Sequence, residues 1–202
     1  MKEGWSTMEE IKKIEFFKVK GKNSNKKQII LTHTSRNIKD YITGLKNRNN
    51  GKYTKIPHYI ISRDGDIYQL MNYNAYNEYM NNSSVNRNGI VISFENLGWL
   101  RKNPLSGDYI NWLGDTYRGD IYTKKWKGYT FWQPYTKEQE ISVLKLIDYL
   151  CKETNIPNSS IGHNVKIDKI ENFNGIVSCS NFDTERTDVN PAFNFDIFIK
   201  KD

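Results

Sequence analysis

A chain of 202 residues with 37% hydrophobic and 26% charged content is sized for one well-cored domain. Its apolar runs are only a few residues long, which excludes a membrane span. Its two cysteines, Cys151 and Cys179, exclude a disulfide framework and the paired Cys-x-x-Cys zinc finger. A net charge of +7 with 13% aromatic residues suits a polyanionic partner, nucleic acid or an anionic envelope polymer, and equally suits a surface that is merely rich in Lys and Asn.

The opening residues, Met1-Lys2-Glu3-Gly4-Trp5, carry no apolar stretch of the secretory type, so synthesis in the cytoplasm is expected. Ser6-Thr7-Met8-Glu9 fits a capping box and predicts a short helix from Thr7. A strand over 14–19 and a basic loop over 21–27 follow, and residues 1–27 are expected to pack as an extension on a domain spanning 28–202. Residues 28–32, QIILT, predict a buried strand with His33 at its end. Ile38, Tyr41, Ile42 and Leu45 recur at helical spacing and predict an amphipathic helix to Lys46. Asp64-Gly65 between apolar runs predicts a hairpin joining strands 58–61 and 67–71.

Residues 89–97, GIVISFENL, read as another strand, with Glu95 in an apolar setting where a carboxylate has to be paired, hydrogen-bonded or metal-linked unless it faces water at an edge. The region near 98–135 is the least regular. Its Trp99, Trp112, Trp126 and Trp132 predict an insertion with one hairpin, whose aromatics form either a satellite core or a platform for sugar rings. Thr136-Lys137-Glu138-Gln139 is a second capping box, opening a helix with a stripe of Ile141, Leu144, Ile147, Leu150 and Cys151. A short strand over 160–163 ends in His163, and 194–200 closes the chain around Phe195 and Phe198.

The chemistry concentrates between Gly162-His163-Asn164 and Arg186-Thr187-Asp188, the latter just ahead of Asn190-Pro191-Ala192-Phe193. A catalytic zinc site takes a few N or O donors and keeps one position for water. His163 and Asp188 can supply two donors, and His33 and His58 are the only other histidines from which an imidazole can come.

In order along the chain, these residues resemble the zinc-dependent N-acetylmuramoyl-L-alanine amidases of type 2, whose fold is that of the peptidoglycan recognition proteins. The landmarks are His33-Thr34-Ser35, then His58-Tyr59-Ile60-Ile61-Ser62-Arg63-Asp64-Gly65. Asn88 and Glu95 in an Asn-x-x-x-Ile-x-x-Glu run follow, with Tyr135-Thr136 before a helix, Gly162-His163, and Asp188 before Pro191-Ala192-Phe193. The resemblance covers 28–198. It implies an α/β (α+β) single domain, a central mixed β-sheet flanked by helices around a zinc cleft. It implies one Zn2+ per chain on His33, His163 and Asp188, with Glu95 as general base and Arg186 where many members carry a catalytic lysine. His58 matches no ligand, so a core or supporting role is expected.

Three features depart from the family pattern: Pro57 replaces a tyrosine, Asn77 replaces a substrate-contacting histidine, and the loop over 164–185 is long. The resemblance implies hydrolysis of the N-acetylmuramoyl-L-alanine amide in peptidoglycan by a monomer of phage-endolysin type, acting on the wall after release. A non-catalytic peptidoglycan-binding module and a cytoplasmic amidase recycling anhydro-muropeptides are the alternatives. Nucleic acid and membrane insertion are not expected, and on RNA polymerase, a partner of some phage members, the sequence is silent.

Overall fold

Alternation within single apolar runs sets the architecture. The computed structural model describes residues 11–14, 21 and 25–198. The helix expected near Thr7 and most of the strand expected over 14–19 lie outside them. The central sheet contains β1 (Ile11–Lys13), β2 (Gln28–His33), β3 (Tyr59–Ile61), β4 (Ile67–Gln69), β5 (Gly89–Phe94) and β11 (Gly175–Ser178), in the order β1-β4-β3-β5-β2-β11. Strands β3, β5, β2 and β11 are mutually parallel, with Ile29 level with Ile90 and Ile176. β4 returns antiparallel to β3 across the Asp64-Gly65 hairpin, as expected.

All six residues of β2 are buried. Ile29 and Leu31 join one core and Ile30 the other, the period-2 alternation of a strand covered on both faces. On the first face lies α3 (Lys137–Thr154), begun by the Thr136/Gln139 capping box and ended at Asn155 in the left-handed region. Its buried face is Val143, Leu146, Ile147 and Leu150, while Ile141 and Leu144 of the expected stripe are 45% and 37% exposed. Steps of three residues slip round a helix by about 60° each, whereas i, i+3, i+4, i+7 stays on one side.

On the opposite face, α1 (Ile38–Asn47) sets Ile38, Tyr41, Ile42 and Leu45 against Ile60 and Leu70. The side chain of Asn37 caps it, accepting from the Asp40 amide. A short α2 (Ser83–Asn88), capped by Asn82, precedes β5.

The insertion departs from expectation. In place of one hairpin it builds a second, antiparallel sheet of β6 (Trp99–Lys102), β7 (Tyr109–Ile110), β8 (Thr116–Tyr117), β9 (Tyr122–Trp126) and β10 (Tyr129–Trp132), ordered β8-β7-β6-β10-β9. Strands of two to five residues are too short to print a clear alternation in the sequence. Beyond β11 the chain enters α4 (Cys179–Phe182) and ends its described part in a 3-10 turn, Phe195–Phe198, that buries both phenylalanines. Among the described residues no helix is long and apolar enough to cross a membrane.

One buried cation ties this frame together. The ammonium of Lys26 donates to the carbonyls of Ala75 (2.8 Å), Arg87 (3.0 Å) and Gly89 (3.0 Å), joining the segment before β2 to the Ala75 turn and to the α2–β5 junction. Burial lowers its pKa to about 8. Lys26→Met keeps the aliphatic stem and leaves three carbonyls without their donor. It is expected to cost about 2–4 kcal/mol of stability, read from the denaturant midpoint at unchanged m-value.

Candidate active site at the carboxyl ends of the parallel strands

Parallel strands bring their carboxyl ends to one edge of a sheet, and β2 and β5 deliver His33 and the residues after Phe94 there. His33 is buried at the last position of β2. Burial, helped by the nearby Arg186 charge and opposed by Asp188, lowers its pKa to about 4, so the imidazole is neutral. The Tyr135 hydroxyl lies 3.5 Å from Nδ1. Gly98, with φ +76°, lies over the other ring nitrogen: a Cβ there would be 2.9 Å from Nε2. Glycine at this position therefore serves both backbone and space.

Asp188 is buried in a set of partners from distant parts of the chain. Its Oδ1 accepts from Arg186 Nε at 2.8 Å, and its Oδ2 accepts from Arg186 Nη2 at 2.6 Å and from the Thr32 hydroxyl. Tyr79 Oη is 3.2 Å from the same hydroxyl, and Arg186 lies over the Tyr79 ring at 5.8 Å. Burial pushes the carboxyl upward, but the Arg186 charge and these hydrogen bonds outweigh it and hold the group well below the usual carboxylate range. The buried thiol of Cys179 adjoins this set and is pushed upward by burial, which makes a competing thiolate unfavourable.

His163 follows Gly162, itself at φ +86°, in a turn rather than the expected strand, which is reduced to a single bridge from Ser160 to Ile176. Its ring rests on Trp126 (centroids 4.6 Å) and Phe195 (5.9 Å), and Nε2 is 3.2 Å from the Val189 carbonyl. Burial lowers its pKa to about 4 against the pull of that carbonyl, with Lys124 and Lys127 adding to the fall.

Glu95 stands just past β5, which ends at Phe94 and not at 97 as expected. Its Oε1 accepts from the Ile38 amide and its Oε2 from the Arg63 amide, both at 2.9 Å. The carboxylate thus splices the first turn of α1 to the β3–β4 hairpin. His58 is a core residue: its Nδ1 accepts from the Val91 amide (2.9 Å) and Asn77 Nδ2 (3.0 Å), so Nε2 carries the proton toward Ala75 O at 3.1 Å. Asn77 is buried as the support of His58.

The structure therefore joins Asp188 to Arg186, brings His33 within electrostatic reach of both, and links His163 to that region through Val189. Among the described residues no three His, Cys, Asp or Glu side chains stand as a group that could hold a metal ion. Thr32 and His33 are consecutive in β2 and project to opposite faces, and Asp188 is bonded on the Thr32 side. Sequence reading missed Thr32, Tyr79, Gly98 and Lys127, and read Trp126 only as part of a satellite core or a sugar platform. Only Thr32 carried a signal, as a polar residue inside an apolar strand next to a candidate ligand.

The histidines give a pH dependence of defined sign. His33 and His163 titrate near 4 and His58 near 3 in the folded chain, against about 6.5 when unfolded. Their folded pKa values are depressed, so the unfolded chain binds more protons between these limits and stability rises with pH there. Stability is expected to be full above about pH 6.5 and to fall by at most about 1.4 kcal/mol per pH unit per histidine as pH drops toward 4. Denaturant midpoints at pH 7, 5.5 and 4.5 check this, and equal midpoints would contradict it.

Residues 22–175 match the family model described as N-acetylmuramoyl-L-alanine amidase, a span that takes in His33, Glu95 and His163 and ends before Arg186 and Asp188. A search among curated proteins finds no match. Among solved structures, the chain is similar to the endolysin N-acetylmuramoyl-L-alanine amidase LysCS from Clostridium intestinale, with 16% identity over 86% of this chain and 82% of that one, at a TM-score of 0.50. A selenomethionine derivative of AmpD has 13% identity over 95% of this chain and 94% of the other, at a TM-score of 0.54. At these identities the two structures establish the mixed α+β fold. Since the family model spans well over half of its length, the chain belongs to the N-acetylmuramoyl-L-alanine amidase family.

Proposed function

We propose that this protein cleaves the amide between N-acetylmuramic acid and L-alanine in peptidoglycan, with one zinc ion held by His33, His163 and Asp188, in the manner of a phage endolysin. What supports the metal assignment is the family match, whose span takes in His33 and His163, together with the chemistry of the donor set. His33 and His163 are imidazoles that burial keeps neutral, and Asp188 is a carboxylate that Arg186 keeps ionised. Those donors fit zinc, and Oδ1 of Asp188 accepts from Arg186 Nε with a second lone pair to offer. When bound, zinc supplies Lewis acidity and a water acidified to about neutral pH.

The chain's own groups have separable tasks. Arg186 stays charged at every working pH and suits an electrostatic role beside a developing oxyanion, not a proton transfer. Its grip on Asp188 also keeps that carboxylate ionised. Glu95, the candidate general base, has used two of its roughly four lone-pair directions on backbone amides, and proton transfer would use the others. The endolysin reading draws on the likeness to the endolysin LysCS and on the net charge of +7, which suits an anionic wall.

Purified peptidoglycan digested with and without a zinc chelator is the direct test, read by mass spectrometry. Chelator-sensitive release of stem peptides with free L-alanine amino termini is expected; wall binding without new termini would sink the enzyme reading. His163→Ala and Asp188→Ala should each abolish this release and lower zinc affinity at least ~10-fold.

Glu95→Gln needs a second readout. An amide in place of the carboxylate sets an NH2 against one of two backbone N–H donors, so a loss of about 1–3 kcal/mol in stability is expected whatever the catalytic role. A general base predicts, in addition, a fall of about 10²–10⁴ in rate at temperatures where the variant is fully folded, with zinc retained. Full activity of the folded variant would leave Glu95 as a backbone anchor alone.

A further inference from the structure

The tip of the β9–β10 hairpin reaches both loops that carry the candidate ligands. Trp126, the last residue of β9, lays its ring against the His163 imidazole with centroids 4.6 Å apart. Behind it Trp132 supports the same ring at 5.5 Å, is fully buried, and fixes its own indole by donating to Lys124 O at 2.7 Å. The next residue, Lys127, crosses to the other loop. Its ammonium donates to the carbonyl of Arg186 at 2.5 Å and approaches that of Asp183 at 3.4 Å, lying 4.7 Å from the Trp126 ring.

Two further facts set this tip apart from ordinary packing. Lys127 and Gly128 both have positive φ, 46° and 81°, the backbone of a tight two-residue hairpin turn. Asn or Gly normally fills the first of these positions, and a long side chain there is uncommon. The chain accepts that backbone, and the ammonium it carries spans to Arg186. His163, for its part, sits in a turn outside every strand, so no ladder fixes its ring. Its orientation depends on Trp126, Phe195 and the Val189 carbonyl.

We propose that Trp126 and Lys127 form a positioning clamp: Trp126 sets the tilt of the His163 imidazole, and Lys127 holds the 183–188 loop that carries Arg186 and Asp188. Neither residue touches substrate in this role. The clamp rests on the zinc reading above for its consequence, but its geometry is measurable without metal.

With three histidines in the chain, imidazole resonances are readily assigned by substitution. In the metal-free protein, the His163 ring protons should be shifted upfield by the indole and should show NOEs to Trp126. Trp126→Ala should remove the shift and weaken zinc binding about 10- to 100-fold in a chelator competition using zinc alone, the range seen when ligand-orienting neighbours are lost. Trp126→Phe, which restores a ring face, should recover most of that affinity. Lys127→Met leaves the aromatic packing in place and should by itself weaken zinc binding about 10-fold, so the proposal stays testable if Trp126→Ala does not fold.

Unchanged zinc affinity in Lys127→Met and in a folded Trp126→Ala overturns the clamp. A wild-type protein that binds zinc but lacks the Trp126–His163 NOE overturns it too, leaving the proposed function standing. A wild-type protein that shows the NOE but binds no zinc sinks the metal reading, and the role of the clamp with it.

Discussion

The burial of β2 on both faces is the constraint on which the remaining structure depends. A strand with no solvent face has to be sandwiched between layers, and its neighbours β5 and β11 run parallel to it. Parallel neighbours need long connections, which here become α1, α2, α3 and the second sheet. They also align their carboxyl ends, so His33, the residues after Phe94 and the turn into α4 open on one edge. The candidate site follows from the direction of three strands before any catalytic side chain is considered.

Loops at such an edge have no ladder of their own, and a buried polar seam replaces it. Asn190, fully buried, donates to Asn96 Oδ1 at 3.0 Å, and Asn96 in turn donates to Gln133 O at 3.1 Å and accepts from the Gly98 amide at 2.8 Å. Gln133 closes the circuit by accepting from the Leu97 amide at 2.6 Å. Three segments far apart in the chain are thereby held by satisfied amides, and in a low-dielectric interior each such bond is costly to lose. The seam fixes Gly98 against His33 and the 188–193 stretch beside it. The second sheet is anchored by the same residues, which makes the insertion part of the site's wall and not an appendage.

Electrostatics around Asp188 follow the same logic. A carboxylate that is almost wholly buried would ordinarily be driven to its neutral form, and here a guanidinium grips it through two nitrogens and a hydroxyl adds a third bond. The pair keeps a negative charge in the interior beside a neutral His33. Arg186 secures that ionised state, and its guanidinium supplies the counter-charge that makes the burial tolerable.

Much of the fold was legible in local sequence. The β2 run with His33 at its end, the helix from Ile38, the Asp64-Gly65 hairpin and the Thr136 capping box are determined by neighbours within a turn or a strand, and each stands where its pattern puts it. His58 read as a non-ligand from its position, and the ordered motifs carried the family. What tertiary structure alone decided is where partners lie far apart in sequence: Asp188 meets Thr32 across 156 positions, and Trp126 meets His163 with no pattern linking them. The same holds for Glu95, whose carboxylate looked like a base in an apolar strand and proves to join two backbone amides brought to it by α1 and the hairpin. Periodicity reports which face a residue turns inward; which distant chain it meets there depends on how the layers are stacked, and that is settled by burial of the whole core.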